Sequence, residues 1–111
     1  MSKQYDFSQL MKKTRAVEVI LDRPRFMAYT LEAIEKFQQH FGMSVSAWIQ
    51  QYTEEDPPIR DMYYVAWLGF IANDAEFTEE QFQELVPYPV LNALYKGPVL
   101  LALVGYGALE N

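Results

Sequence analysis

The side chains able to do chemistry here are few, and their types and spacing limit what they can do. His40 is the single histidine and there is no cysteine. That excludes any site needing two His ligands, a thiolate nucleophile, a cysteinyl zinc or iron–sulfur centre, or a disulfide. His40 alone could act as a general base. It falls late in an amphipathic stretch beside Phe41, where a helix C-terminus favours the imidazolium, so a surface imidazole is the simpler reading. Glu54, Glu55 and Asp56 could hold a divalent cation, but they run consecutively. The alternating Asp/Asn/Gly spacing of a calcium loop is missing, and they read as a solvated, capping loop. Glu79, Glu80 and Glu84 could be paired carboxylates. Glu79 and Glu80 are adjacent, so on a helix they diverge, and near its N-terminus they complement the dipole. The sequence holds no Walker A loop, no strand-following Gly-x-Gly-x-x-Gly and no Gly-x-Ser-x-Gly elbow. Nothing assembles a nucleophile, a base and an oxyanion site, so the expectation is a non-enzymatic protein with no catalytic residue, cofactor or metal.

At 111 residues the chain suits one domain, and with half its residues hydrophobic it is too apolar for an intrinsically disordered polymer. Charge is uneven: residues 1–25 hold six bases and three acids, whereas residues 26–111 hold three bases and twelve acids. The acidic body repels phosphate backbones, so nucleic acid is not an expected partner. The first residues lead into no apolar run of the kind that opens a secretion signal. The most apolar stretch, Val90 to Leu109, is interrupted by Asn92, Lys96, Gly97 and Pro98, so no membrane span is expected. A cytoplasmic protein is the default.

The elements that must position these residues form a mainly α fold. Residues 1–14 read as an N-terminal arm, flexible or forming one helical turn, and residues 15–111 as a single domain. Arg15 to Leu21 alternates Val17, Val19 and Leu21 against Glu18 and Ile20, the period of a strand. Arg23-Pro24-Arg25-Phe26 suits a turn with proline second, and Phe26 to Tyr29 a return strand. Thr30 predicts an N-cap for a helix over Leu31 to Phe41, with Leu31, Ile34, Phe37 and Phe41 on one face and Gly42 ending it. Ser44 caps a shorter helix carrying Val45, Trp48, Ile49 and Tyr52. Asp56 followed by Pro57 reads as an N-cap with proline at the first helical position. Ile59 to Ala72 is apolar nearly all round, hence a central buried helix stopped by Asn73-Asp74. Thr78-Glu79-Glu80-Gln81 is a capping box ahead of Phe82 and Leu85. Val86-Pro87-Tyr88-Pro89 breaks that helix. A last one runs from Pro89 or Val90 to about Leu103, bent near Gly97-Pro98 because Pro98 has no N–H to donate. The expected architecture is a small N-terminal β-hairpin followed by about five helices in one compact domain.

The chain carries eight Tyr, seven Phe and two Trp. Trp48 and Trp67 read as core. Tyr88, Leu91, Leu94, Tyr95, Leu100, Leu101 and Tyr106, with the central helix, offer more apolar surface than five helices comfortably cover. They are the candidate protein-interaction residues, with core and interface both open for this segment.

The order of segments carries a further reading. A strand at Val17 to Leu21 leads to Arg25-Phe26-Met27-Ala28-Tyr29-Thr30-Leu31-Glu32-Ala33-Ile34-Glu35. Then follow Phe41-Gly42-Met43-Ser44, Tyr64-Val65-Ala66-Trp67-Leu68-Gly69 and Phe77-Thr78-Glu79-Glu80-Gln81-Phe82. Over roughly residues 15–86 this resembles the tail assembly chaperones of long-tailed bacteriophages and related gene-transfer particles. The resemblance implies a non-enzymatic protein of the host cytoplasm that binds the helical tape-measure protein and keeps its apolar stripe soluble while the tail tube assembles. It carries no catalytic residue over. A homo-oligomer is the expected state. The alternative is a small acidic regulatory or adaptor protein that binds and blocks another protein.

Overall fold

The computed structural model describes Asp6 and residues 16–104. Apart from Asp6, the arm read at residues 1–14 lies outside the described residues. The alternating segment forms strand β1 (Val17–Ile20), which pairs antiparallel with β2 (Pro24–Met27). Val17 stands opposite Met27, Glu18 opposite Phe26, Val19 opposite Arg25 and Ile20 opposite Pro24. The return strand therefore begins two residues before the expected Phe26, and Pro24 opens the strand instead of the turn. The reason lies in which way the backbone faces. Ala28 N–H donates to the Gly69 carbonyl at 2.8 Å, and Asn73 Nδ2 to the Phe26 carbonyl at 3.4 Å. Phe26 and Ala28 thus turn their polar groups away from β1. Pro24 shares that alternation, so its missing N–H removes no ladder bond.

Helix α1 (Leu31–Phe41) begins and ends as expected: the Ala33 N–H donates to Thr30 Oγ1, and Gly42 takes a left-handed φ of 67°. Ala33, Ile34 and Phe37 are buried, but Leu31, on the first turn, reaches past the packed surface and is 69% exposed. Helix α2 (Val45–Gln51) is capped by Ser44 and buries Val45 and Trp48. The central α3 (Ile59–Leu68) departs from the sequence reading at both ends. Pro58, not Asp56, occupies its N-cap position, and no side chain caps it. Asp56 instead reaches Lys96 at 3.5 Å. The helix stops at Leu68, short of Ala72. Ala28 takes the Gly69 carbonyl that a continuing α-helix would give to the Asn73 N–H, and Asn73 falls back on the Phe70 carbonyl at 3.3 Å. Gly69 is required there for space: a Cβ would stand 2.6 Å from Met27 Cγ and 3.2 Å from the end of Tyr29.

Helix α4 (Glu79–Leu85) is opened by the capping box, with Gln81 N–H to Thr78 Oγ1 at 3.1 Å and Thr78 N–H to Gln81 Oε1 at 3.0 Å. Only Val86 and Pro87 interrupt the chain before α5 (Tyr88–Leu94), which admits Pro89 in its first turn. The bend expected near Gly97-Pro98 is a π-helical turn, Tyr95–Val99, after which helix resumes to residue 104. The Leu100 N–H returns to the Tyr95 carbonyl, five residues back. That wider turn accommodates a proline that can neither donate nor sit close to the preceding turn. It also takes up one residue. A straight helix repeats its buried face at about the seventh and eleventh residues, whereas here the eighth and twelfth after Leu91, Val99 and Leu103, are buried.

The result is mainly helical, with one two-stranded hairpin, in a compact unit. Helix α3 is its axis, touching α1, α4, α5 and the π turn. Met62, Val65, Ala66 and Leu68 are wholly buried. Trp48 is core, its Nε1 donating to Tyr95 Oη at 3.3 Å. Trp67 is half-buried, with Nε1 donating to the Phe77 carbonyl at 2.7 Å.

Candidate functional site

The most charged constellation in the fold gathers where the hairpin meets the start of α4. Arg25 faces inward on β2 and is 8% exposed. Its Nε and Nη2 grip Asp22 bidentately at 2.9 and 3.0 Å, and its Nη1 reaches Asp74, which also accepts from Arg23 at 3.2 Å. The guanidinium lies 4.0 Å from the centre of the Phe77 ring. The bond from Arg25 holds the Asp22 carboxyl below the usual carboxylate range, and Asp22 in turn raises the Arg25 pKa. Beside this cluster opens a cleft of about 390 Å³ bounded by Asp22, Arg25, Phe77, Gln81, Glu84 and Leu85. A cation already matched by two carboxylates and covered by a ring has no call for a further anion. The cluster is a fastening between hairpin and helix layer.

The sequence-level candidates fall in separate places. His40 is exposed and stacks on Tyr64, ring centres 4.0 Å apart. Glu54, Glu55 and Asp56 are exposed, with Asp56 facing Lys96. Glu79 is half-buried at the start of α4 and adds to the burial that raises the Tyr64 pKa, while Glu80 and Glu84 are exposed. Among the described residues, no group of three or more His, Asp or Glu side chains is placed to hold a metal ion. No helix among them is long and apolar enough to cross a membrane.

Of the candidate interaction residues, Leu91, Leu94 and Tyr95 turn into the chain's own core and leave no surface to offer. Burial is also what raises the Tyr95 pKa. Leu100 is half-buried, Tyr88 is exposed and Leu101 is 70% exposed. Tyr106 lies outside the described residues. Other exposed apolar side chains are Ile20 and Phe26 on the outer hairpin face, Leu31 on α1, Ile59 on α3, Val90 on α5 and Val104 at the end of the described chain. Ile20 is the most exposed, at 74%. With Leu21 it forms one wall of a recess of about 300 Å³ whose opposite wall is Val86, Pro87 and Val90. The alternation in β1 already sets Ile20 apart from the inward Val17 and Val19; nothing local reveals that α5 begins alongside it.

Compared with known proteins, the chain matches no family model, no curated sequence and no solved structure.

Proposed function

We propose that this chain is a non-enzymatic protein-binding module, and that its task is that of a tail assembly chaperone holding the helical tape-measure protein soluble. The observation that carries the reading is an apolar surface left over after the core is closed. Leu101 and Val104 stand exposed one turn apart on the last helix, facing the same side. Such a pair is the anchor spacing by which one amphipathic helix recognises another. The chaperone assignment itself rests on the segment order described above.

The test is co-expression with an amphipathic helical segment of a tape-measure protein, followed by size exclusion with light scattering. Co-elution that is lost on replacing Leu101 and Val104 together by lysine supports the reading. A chain that ignores the segment overturns it. The exposed acids Glu54, Glu55, Glu76, Glu80 and Glu84 then favour the second reading, an acidic adaptor that blocks a basic partner surface.

A further inference from the structure

We propose that two copies of this chain join edge to edge through β1, in a single register, to make one continuous antiparallel sheet from two hairpins. The inference concerns a different surface from the last helix and needs no helical partner.

The two edges of the hairpin are unlike. The outer edge of β2 is covered by the segment after α3, through Ala28 to Gly69 and Asn73 to Phe26, and Pro24 offers no N–H there. Because Arg25 and Met27 face β1, their partners Val19 and Val17 face β2. Glu18 and Ile20 therefore direct both N–H and C=O outward, along an edge that nothing among the described residues covers. Both side chains are exposed. An open strand edge is a template for another strand.

Self-pairing across one edge is two-fold symmetric and antiparallel. The pleat demands that inward residues meet inward residues, so the symmetry axis must pass through a residue. Centred on Glu18, the register sets Glu18 against the partner's Glu18. Centred on Ile20, it sets Glu18 against the partner's Asp22. Both oppose like charges, which is destabilising. Centred on Val19, it sets Glu18 against the partner's Ile20, and within β1 (Val17–Ile20) no like charges face each other. Glu18 and Ile20 are also the residues with outward backbone groups, so these become the hydrogen-bonded pairs. Val17 comes opposite the partner's Leu21, and the half-buried Val17, Val19 and Leu21 extend into one apolar layer. The recess beside Ile20, Leu21 and Asp22 then has the partner's Ala16 and the partner's Val17 next to it. An interface of this size is weak and reversible.

The native chain lacks cysteine, so single-cysteine variants report the register cleanly. In the Val19-centred dimer, Val19 and the partner's Val19 form a non-hydrogen-bonded pair with Cα atoms about 4.5 Å apart, within disulfide reach. Val19→Cys, Glu18→Cys and Ile20→Cys are each oxidised in a glutathione buffer. The expected result is a crosslinked dimer for Val19→Cys and little for the other two. Light scattering of the native chain from roughly 10 μM to 1 mM should show dimer growing with concentration. Ile20→Pro removes an outward N–H without touching the hairpin ladder. It should leave the circular dichroism unchanged and the chain monomeric. Crosslinking confined to Glu18→Cys or Ile20→Cys, a native chain monomeric throughout, or a dimer that survives Ile20→Pro would each overturn the proposal.

Discussion

The hairpin reaches the helical layer through directed polar contacts added to the buried Met27, whereas the last helix reaches it mainly through apolar burial. On the hairpin side, Arg25 is shared between Asp22 and Asp74, Tyr29 Oη donates to the Val65 carbonyl at 2.7 Å, and Ala28 bonds Gly69. On the other side, Leu91, Leu94, Tyr95, Val99 and Leu103 enter the core, Tyr95 Oη accepts one bond from Trp48, and among the described residues the only ion pair is the half-exposed Lys96–Asp56. Burial is non-directional and tolerates small shifts; a bidentate clamp fixes orientation but answers to pH and geometry. One attachment therefore supplies mainly stability, the other mainly position.

Four measurements sharpen or break this contrast. The largest effect falls on the apolar side: Leu91→Ala should cost about 2–5 kcal/mol in chemical denaturation, by about the same amount at every pH between 3 and 7. Next is the backbone contact under the hairpin. Gly69→Ala should cost about 1–3 kcal/mol, because its Cβ must displace Met27 or Tyr29. A neutral result there would show that the hairpin sits loosely and that its polar contacts fix nothing. Third is acid. The folded Asp22 pKa lies below its ordinary value of about 3.9. Its share of stability is thus complete above that value and drains away as pH falls through the lower folded one. Melting curves should show a loss below about pH 4 that Asp22→Asn reduces and Leu91→Ala does not. The smallest effect is Lys96→Ala, roughly 0–0.5 kcal/mol, since both partners are half in water. A larger loss would mean that the last helix is also held by charge.

Burial of tyrosine gives the same contrast an alkaline limb. Tyr29 is buried and its phenol is pushed far above the ordinary range, chiefly by desolvation. Below about pH 10 the phenol is neutral in both states and stability is intact; above it the unfolded chain ionises while the folded one resists, so stability falls as pH rises.

What the sequence made legible was local. Thr30, Gly42, Ser44 and the Thr78–Gln81 box each act within one helical turn, and each sits where its spacing placed it. The misplaced boundaries are those decided at long range. The start of β2 depends on Phe26 and Ala28 turning their polar groups to Asn73 and Gly69 far along the chain, and the end of α3 on Ala28 claiming the Gly69 carbonyl. Asp56 had the composition of a cap but was drawn instead to Lys96. The candidate interaction residues split for the same reason. Leu91, Leu94 and Tyr95 are as apolar as Leu101, and only the position of α3 decides which of them are covered. The outer edge of β1 was half legible: the alternation gave the outward face, but the coverage of β2 that leaves β1 as the uncovered side among the described residues is tertiary.

The π turn after α5 gives the last helix one place where its length can change silently. Gly97 is exposed, and a side chain there would meet nothing within 4 Å. A chain lacking Gly97, with alanine in place of Pro98, can wind as uninterrupted α-helix and still bring Val99 and Leu103 to the buried side. Remove one residue from α5 instead, and everything after it swings by about a quarter-turn, carrying Leu103 into water. In a lineage of such chains, insertions and deletions in this helix should gather at the π turn and be purged elsewhere along it.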